Sequence, residues 1–280
     1  MPLSREGKER SFRENVVLAF SLAGVAGAVN GIGFAELGFL TSHVSGTTTR
    51  LGIALGTGRW LDAWDALAFV LAFVVGAMTA AILIEVARRI GQPRFQMPLL
   101  AEALVLVAFT LFTEVVDEPD ATLKYRLAVA LSFTMGLQNA LVTRLSGAVV
   151  RTTHLTGLAT DAGIEIVRVV ALYLKRTRGE SLRDHLRHLS YMTSDPELYR
   201  ARLHATIFVS FIGGAAAGAW LFARVGAMAM IVPTVGLLAL VVYDRVLGVS
   251  NEDLEEDYNP RFSASRESEE QGPPERAAAP

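Results

Sequence analysis

Not one of the 280 residues is cysteine, so disulfides, thiolate metal sites and cysteine nucleophiles are excluded, and nothing in the chain reports a redox compartment. Other signatures are missing too. There is no Gly-x-Ser-x-Gly elbow, no zinc-binding His-Glu-x-x-His run, no paired-aspartate signature and no nucleotide-binding loop, which argues against the common hydrolases and against ATP-driven pumping by this chain alone. Charge is scarce: charged residues make up 19% against 51% hydrophobic ones, with a formal net charge of −2. No cofactor and no nucleic-acid partner are expected. A mean hydropathy of +0.37 is too apolar for an ordinary soluble domain of this length.

What the chain does have is long apolar runs. Val16 to Leu37, Ala66 to Val86, Pro98 to Val116, Leu123 to Leu141, Leu203 to Phe222 and Gly226 to Val246 are each near the roughly 20 residues that cross a bilayer core as a helix. Backbone groups in lipid must be satisfied internally, and Leu, Ala, Val and Gly suit helices better than barrel strands. The expectation is an all-α polytopic membrane bundle with six transmembrane helices. Val16 to Leu37 also resembles a secretory signal, since Arg5, Lys8, Arg10 and Arg13 precede it, but five later spans favour an uncleaved first helix.

Within this apolar background one pattern occurs twice. Thr41-Ser-His-Val-Ser-Gly-Thr-Thr-Thr-Arg-Leu-Gly-Ile53 returns 111 positions later as Thr152-Thr-His-Leu-Thr-Gly-Leu-Ala-Thr-Asp-Ala-Gly-Ile164. A fainter match, Gly27-Ala-Val-Asn30 with Gly136-Leu-Gln-Asn139, lies at an offset of 109. Each half, 16–116 and 123–247, then contains a span with Gly-x-x-Asn, a motif segment and two further spans. Three crossings per half put the halves in opposite orientations, an inverted repeat.

Charge bias fixes how the motifs sit. If neither crosses, Arg5 to Arg13, Arg88, Arg89, Arg94, Arg144, Arg151 and the basic connection with Lys175, Arg176, Arg178, Arg183 and Arg187 are all cytoplasmic, and acidic Glu114, Asp117, Glu118 and Asp120 lie outside, as the positive-inside rule prefers. Both termini are then cytoplasmic. Val44 to Thr57 offers only about 14 residues, some 21 Å of helix, too short to span. Both motifs read as re-entrant or broken helices; Leu155 to Leu174 is long enough to cross.

Met135-Gly-Leu-Gln-Asn139, Arg151-Thr-Thr-His-Leu-Thr-Gly157 and Ser45-Gly-Thr-Thr-Thr-Arg-Leu-Gly52 together resemble the YoaK-like family, bacterial integral membrane proteins of unknown function, over roughly Val16 to Val246. That family's first motif usually reads Thr-Gly-Asn and its first span carries Asp, where this chain has Ser45-Gly46-Thr47 and Asn30. The resemblance implies a fold and a bacterial plasma membrane location, with no established substrate.

The candidate site follows from the repeat. Gly46 and Gly157 are expected to release the backbone at a helix start, while Thr41, Ser42, Ser45, Thr47, Thr49, Thr152, Thr153, Thr156 and Thr160 cap free amides or turn hydroxyls toward a solute. Helix amino termini favour an anion or an electronegative group. Asn30, Gln138, Asn139 and Arg151 flank the motifs. His43 and His154 occupy equivalent positions, either bonding a carbonyl to order the loop or acting as proton carriers or metal ligands. Arg50 and Asp161 coincide in the alignment and are expected either to pair, with Glu165 and Arg168 extending the network, or to leave Asp161, Glu165 and Arg168 as the wet face of an interfacial helix.

The function expected is a secondary transporter or channel-like permease for a small polar or anionic solute, with membrane lipid as the other partner. An intramembrane hydrolase using Ser45 with His43 or His154, and a non-catalytic scaffold, are the alternatives. A homo-oligomer is compatible with this reading. Residues 1–15 form a cytoplasmic segment. Within the 16–247 membrane domain, 175–200 has Leu182, Leu186 and Leu189 at helical spacing, as in an amphipathic surface helix. The acidic tail, 248–280, is expected to be disordered. Gly27-x-x-x-Gly31 and Gly214-x-x-x-Gly218 read as close-packing devices, Pro233 as a kink, and Trp60 with Trp64 as an interfacial belt.

Overall fold

The computed structural model describes residues 11–116, 119–150, 152–176 and 199–258, with side chains over 11–116, 119–150, 152–171 and 199–246. Arg151 and almost all of the 175–200 segment lie outside them. Among the described residues every regular element is helical: α1 (Phe12–Leu37), α2 (Val44–Gly56), α3 (Trp60–Arg89), α4 (Gln96–Val115), α5 (Ala121–Leu145), α6 (Leu155–Arg176), α7 (Tyr199–Val225), a 3-10 segment (Gly226–Met230) and α8 (Ile231–Tyr258). The all-helical expectation therefore holds, and all six apolar runs fall on helices.

Local sequence sets several ends. Ser11 and Glu14 form a capping box at the start of α1, and Gly38 closes that helix in the left-handed conformation at φ 76°, each device contributing about 1 kcal/mol. Asp120 caps α5 by accepting from the Leu123 amide. Pro233 falls in the first turn of α8, where its missing N–H costs little. The expected kink is replaced by a break one turn earlier, at the 3-10 segment, which Gly226 enters at φ 61°. The backbone of α8 continues as helix to Tyr258, past the point where the tail was expected to lose structure; 259–280 lie outside the described residues.

Among the described residues, four stretches are long and apolar enough to cross a membrane: Phe12–Leu37, Trp60–Arg89, Gln96–Val115 and Tyr199–Val246, the last covering α7 and α8 as far as Val246. Large side chains stay exposed along α3 from Leu71 through Val75, Met78 and Ile82 to Val86, a stripe that water would penalise and lipid would not. Trp60 and Trp64 are exposed at its start. α5 does not meet the same apolar standard, and its polar Ser132, Thr134 and Gln138 are buried inside the bundle.

Two helix pairs dominate the packing, α1 on α7 and α3 on α5. Both rely on glycine. A β-carbon at Gly27 of α1 would collide with the Phe211 carbonyl, and one at Gly214 of α7 with the Gly24 carbonyl; across the other pair, Gly136 of α5 faces the Phe73 carbonyl and Gly76 of α3 the Phe133 carbonyl. Backbones touching at these points hold the helices by dispersion, which the interior of a membrane favours. Gly31 and Gly218 extend the α1–α7 contact against Ala215 and Ala28. α2 packs on α3, α6 on α7, and α4 on α8, with a buried Gln96 Nε2 donating to Asp244 Oδ2 at 3.1 Å.

Candidate functional site

A cavity of about 1050 Å³ opens between the two motif segments. Ser42, His43 and Ser45 line it from the first motif, and Thr153, His154, Thr156, Gly157 and Thr160 from the second; Asn30 of α1 and Asn139 and Thr143 of α5 add to its polar wall. Among the described residues, no Asp, Glu, Lys or Arg lines it. The polar groups are amides, hydroxyls and imidazoles, able to bond a solute of either hydrogen-bond polarity.

Each motif is tied to its neighbouring span by the asparagine that precedes it. Asn30 Nδ2 donates to the Ala26 carbonyl one turn back at 2.8 Å, leaving Oδ1 to accept from Thr41 Oγ1 at 3.3 Å, Ser42 N at 3.2 Å and Ser42 Oγ at 2.9 Å. Asn139 Nδ2 donates to the Met135 carbonyl at 3.0 Å and also to Thr153 Oγ1. Ser42 and Thr153 are counterparts in the repeat, so the same tether is built twice with different donors. Thr41 is buried through its bond to Asn30, while its counterpart Thr152 is buried with Oγ1 unbonded.

The histidines explain the glycines. A β-carbon at Gly46 would collide with the His43 imidazole, and one at Gly157 with the His154 imidazole. Both glycines sit inside a helical first turn and neither has positive φ, which corrects the expectation that they release the backbone. They make room for a ring. Neither imidazole forms a hydrogen bond among the described residues, so the carbonyl-bonding alternative fails, and both rings face the cavity. No group of metal-ligating side chains large enough to hold an ion occurs among the described residues.

The amino end of α2 has no side-chain cap, so of the two roles expected of its hydroxyls the capping one fails there. Thr47, Thr48 and Thr49 instead donate to the carbonyls of His43, Val44 and Ser45 at 2.9, 2.9 and 3.0 Å, and Thr160 donates to Thr156 at 3.2 Å. Such back-bonding leaves the lone pairs of Thr160 available to the cavity.

Several expected site residues lie elsewhere. Gln138 is buried and ties α5 to α1 by donating to the Leu22 carbonyl at 3.1 Å. Thr49 and Asp161 are exposed and do not line the cavity. No ion pair joins Arg50 to Asp161. Arg50 opens instead onto a side cavity of about 320 Å³ with Gly46 and Thr47, bounded by Phe34, Leu40 and His43, which also line the main one. Glu165 and Arg168 form neither a network nor a common wet face: Arg168 is exposed, whereas Glu165 is buried beside His204.

Sequence reasoning missed the apolar wall. Phe34, Phe73 and Phe211 line the cavity. Phe73 and Phe211 belong to a third repeat, Phe73-Val-Val-Gly-Ala77 with Phe211-Ile-Gly-Gly-Ala215 at an offset of 138, the glycines of which make the close crossings described above. That identity was available, but it sits in runs where Val, Ala and Gly are common, and the longer connection after α6 shifts its offset from 111.

A family model described as a protein of unknown function, DUF1275, matches residues 18–243; this corresponds to the YoaK-like resemblance. No curated protein and no solved structure matches the chain.

Proposed function

The chain belongs to the DUF1275 family of proteins of unknown function, and we propose from its own site that it is a secondary transporter or channel-like permease for a small polar or anionic solute. The observation that carries this reading is the common cavity: both copies of the motif, separated by 111 positions, wall one space of about 1050 Å³. Solute sites between broken helices of a repeated unit are a recurrent transporter design. Two helix starts bearing His43 and His154 bring partial positive charge toward the cavity, and Arg50 supplies a full one in the adjoining space. The absence of carboxylates among the described lining residues favours neutral or anionic over cationic solutes.

The architecture proposed with it is six crossings and two broken helices in an inverted repeat. Its support is the exchange of contacts: α1 meets α7 through Gly27 and Phe211 as α5 meets α3 through Gly136 and Phe73, with each residue the repeat counterpart of the other. The proposed setting is the bacterial plasma membrane with cytoplasmic termini, supported by the internal placement of basic connections. A dry scaffold is disfavoured by the open cavity. An intramembrane hydrolase is disfavoured because no hydrogen bond links Ser45 to His43 or His154 among the described residues.

The test is a panel of small neutral and anionic metabolites assayed for thermal stabilisation of the purified protein, since selective binding raises apparent stability, followed by uptake into proteoliposomes. Stabilisation and uptake that are lost together in His154→Ala/Thr156→Val, with the variant still folded, are expected. A panel that yields neither binding nor flux contradicts the reading.

A further inference from the structure

Glu165 of α6 and His204 of α7 are buried against each other, Oε2 and Nδ1 lying 3.3 Å apart but not aligned as a hydrogen bond, with side chains 10% and 12% exposed. In the register of the repeat, Glu165 corresponds to Ala54 of α2 and His204 to Ala66 of α3. Both alanines are buried, at 1% and 2%. The first half thus carries buried methyl groups at the two positions where the second has a carboxylate and an imidazole.

Packing alone does not call for that difference. Apolar groups of similar volume commonly replace a buried ion pair at no loss of stability, and the first half manages without one. Ionisable groups buried in a membrane bundle are by default functional. Among the described residues, the surrounding charges do not complete a structural network. On α6, Asp161 and Arg168 are exposed; on α7, Arg200 and Arg202 are exposed, the latter over the Phe12 ring at 4.4 Å; on α1, across α7, Arg13 is exposed and Glu14 bonds Ser11.

We propose that Glu165 and His204 together form a proton-binding site, the coupling ion of the permease reading on which this inference rests. With one proton bound, the imidazolium faces the carboxylate as an ion pair and the two are net neutral. Release of that proton to water leaves the carboxylate facing a neutral ring, an uncompensated charge in a dry contact, which weakens the hold of α7 on α6. The consequence reaches the cavity, because the first turns of α6 carry Thr156 and Thr160 with His154 immediately before them, and α7 carries Phe211. α2, with Ala54 at the counterpart position, has no such response. Only one wall of the cavity moves with the proton.

A chain without cysteine allows a direct reading that needs no solute, so it can fail or succeed independently of any transport assay. Leu158→Cys reports the buried face of α6, and Ala54→Cys that of α2. Maleimide labelling of each is measured from about pH 5.5 to about pH 8.5, and their ratio removes the intrinsic pH dependence of the thiol. The ratio is expected to rise about fivefold or more with pH, and to become pH-independent when Glu165→Ala/His204→Ala, the first half's own pair, is added. That double variant keeps a stable fold, checked by its melting temperature. A flat ratio in the parent, or a pH dependence that survives the double variant, overturns the proposal.

Discussion

The imidazole of His154 lies across Gly157 in the space a β-carbon would occupy, as that of His43 lies across Gly46. Alanine normally stabilises a helix interior relative to glycine by about 0.5–1 kcal/mol. At Gly46 and Gly157 that gain is offset by displacement of the ring, so Gly157→Ala is expected to reduce solute binding with little net change in stability. Gly52 and Gly163 lie in the same helices with open space where a β-carbon would go, and Gly52→Ala and Gly163→Ala are expected to show the full gain. Denaturation midpoints of the three variants check the contrast.

The crossings of α1 with α7 and α5 with α3 leave no such room. At Gly27 and Gly136 the obstacle is backbone carbonyl, not a ring that can swing aside. Gly27→Ala and Gly136→Ala are each expected to cost about 2 kcal/mol or more, the usual penalty for forcing atoms into a packed contact. The losses should be similar because the crossings are counterparts. Thermal unfolding in detergent measures both.

Asn30 and Asn139 differ in how much depends on them. Removing Asn30 leaves Thr41 Oγ1 and the amide and hydroxyl of Ser42 without their acceptor, whereas removing Asn139 frees Thr153 Oγ1. With about 1 kcal/mol or more for each buried group left unsatisfied, Asn30→Ala should destabilise more than Asn139→Ala. Equal losses would mean that the first motif is held by other contacts.

Glu102 of α4 is fully buried, and neither carboxyl oxygen has a hydrogen-bond partner among the described residues. A polar group in that position opposes folding by roughly 1–3 kcal/mol. Glu102→Leu is therefore expected to raise the melting temperature. A clear fall would show that the carboxyl is engaged by something outside the described residues.

Much of this arrangement was legible because polar residues are rare in apolar runs, so a duplicated Thr-x-His-x-x-Gly stands out against its background. The length of Val44–Gly56 and the antecedent asparagines were readable for the same reason. Residue identity did not reveal orientation. Arg50 and Asp161 align in sequence, yet each follows its own helix face, and Glu165 turns inward beside His204 while Asp161, one turn earlier, stays outside. The partner that makes Glu165 buried lies on another helix, beyond the reach of any local pattern. Gln138 sits beside Asn139 but points to Leu22 of α1, since adjacent residues on a helix face directions about 100° apart.

The account depends on one cavity shared by both motifs, and sidedness of access tests that most directly. Ser45→Cys and Thr156→Cys, made singly in a chain with no native cysteine, are reconstituted in oriented proteoliposomes and exposed to a membrane-impermeant maleimide from one face at a time. A shared solute cavity predicts that both positions react from the same face, and that a solute found by the binding panel slows both. Reaction of the two positions from opposite faces only, under every condition tried, would mean two separate vestibules and would contradict it.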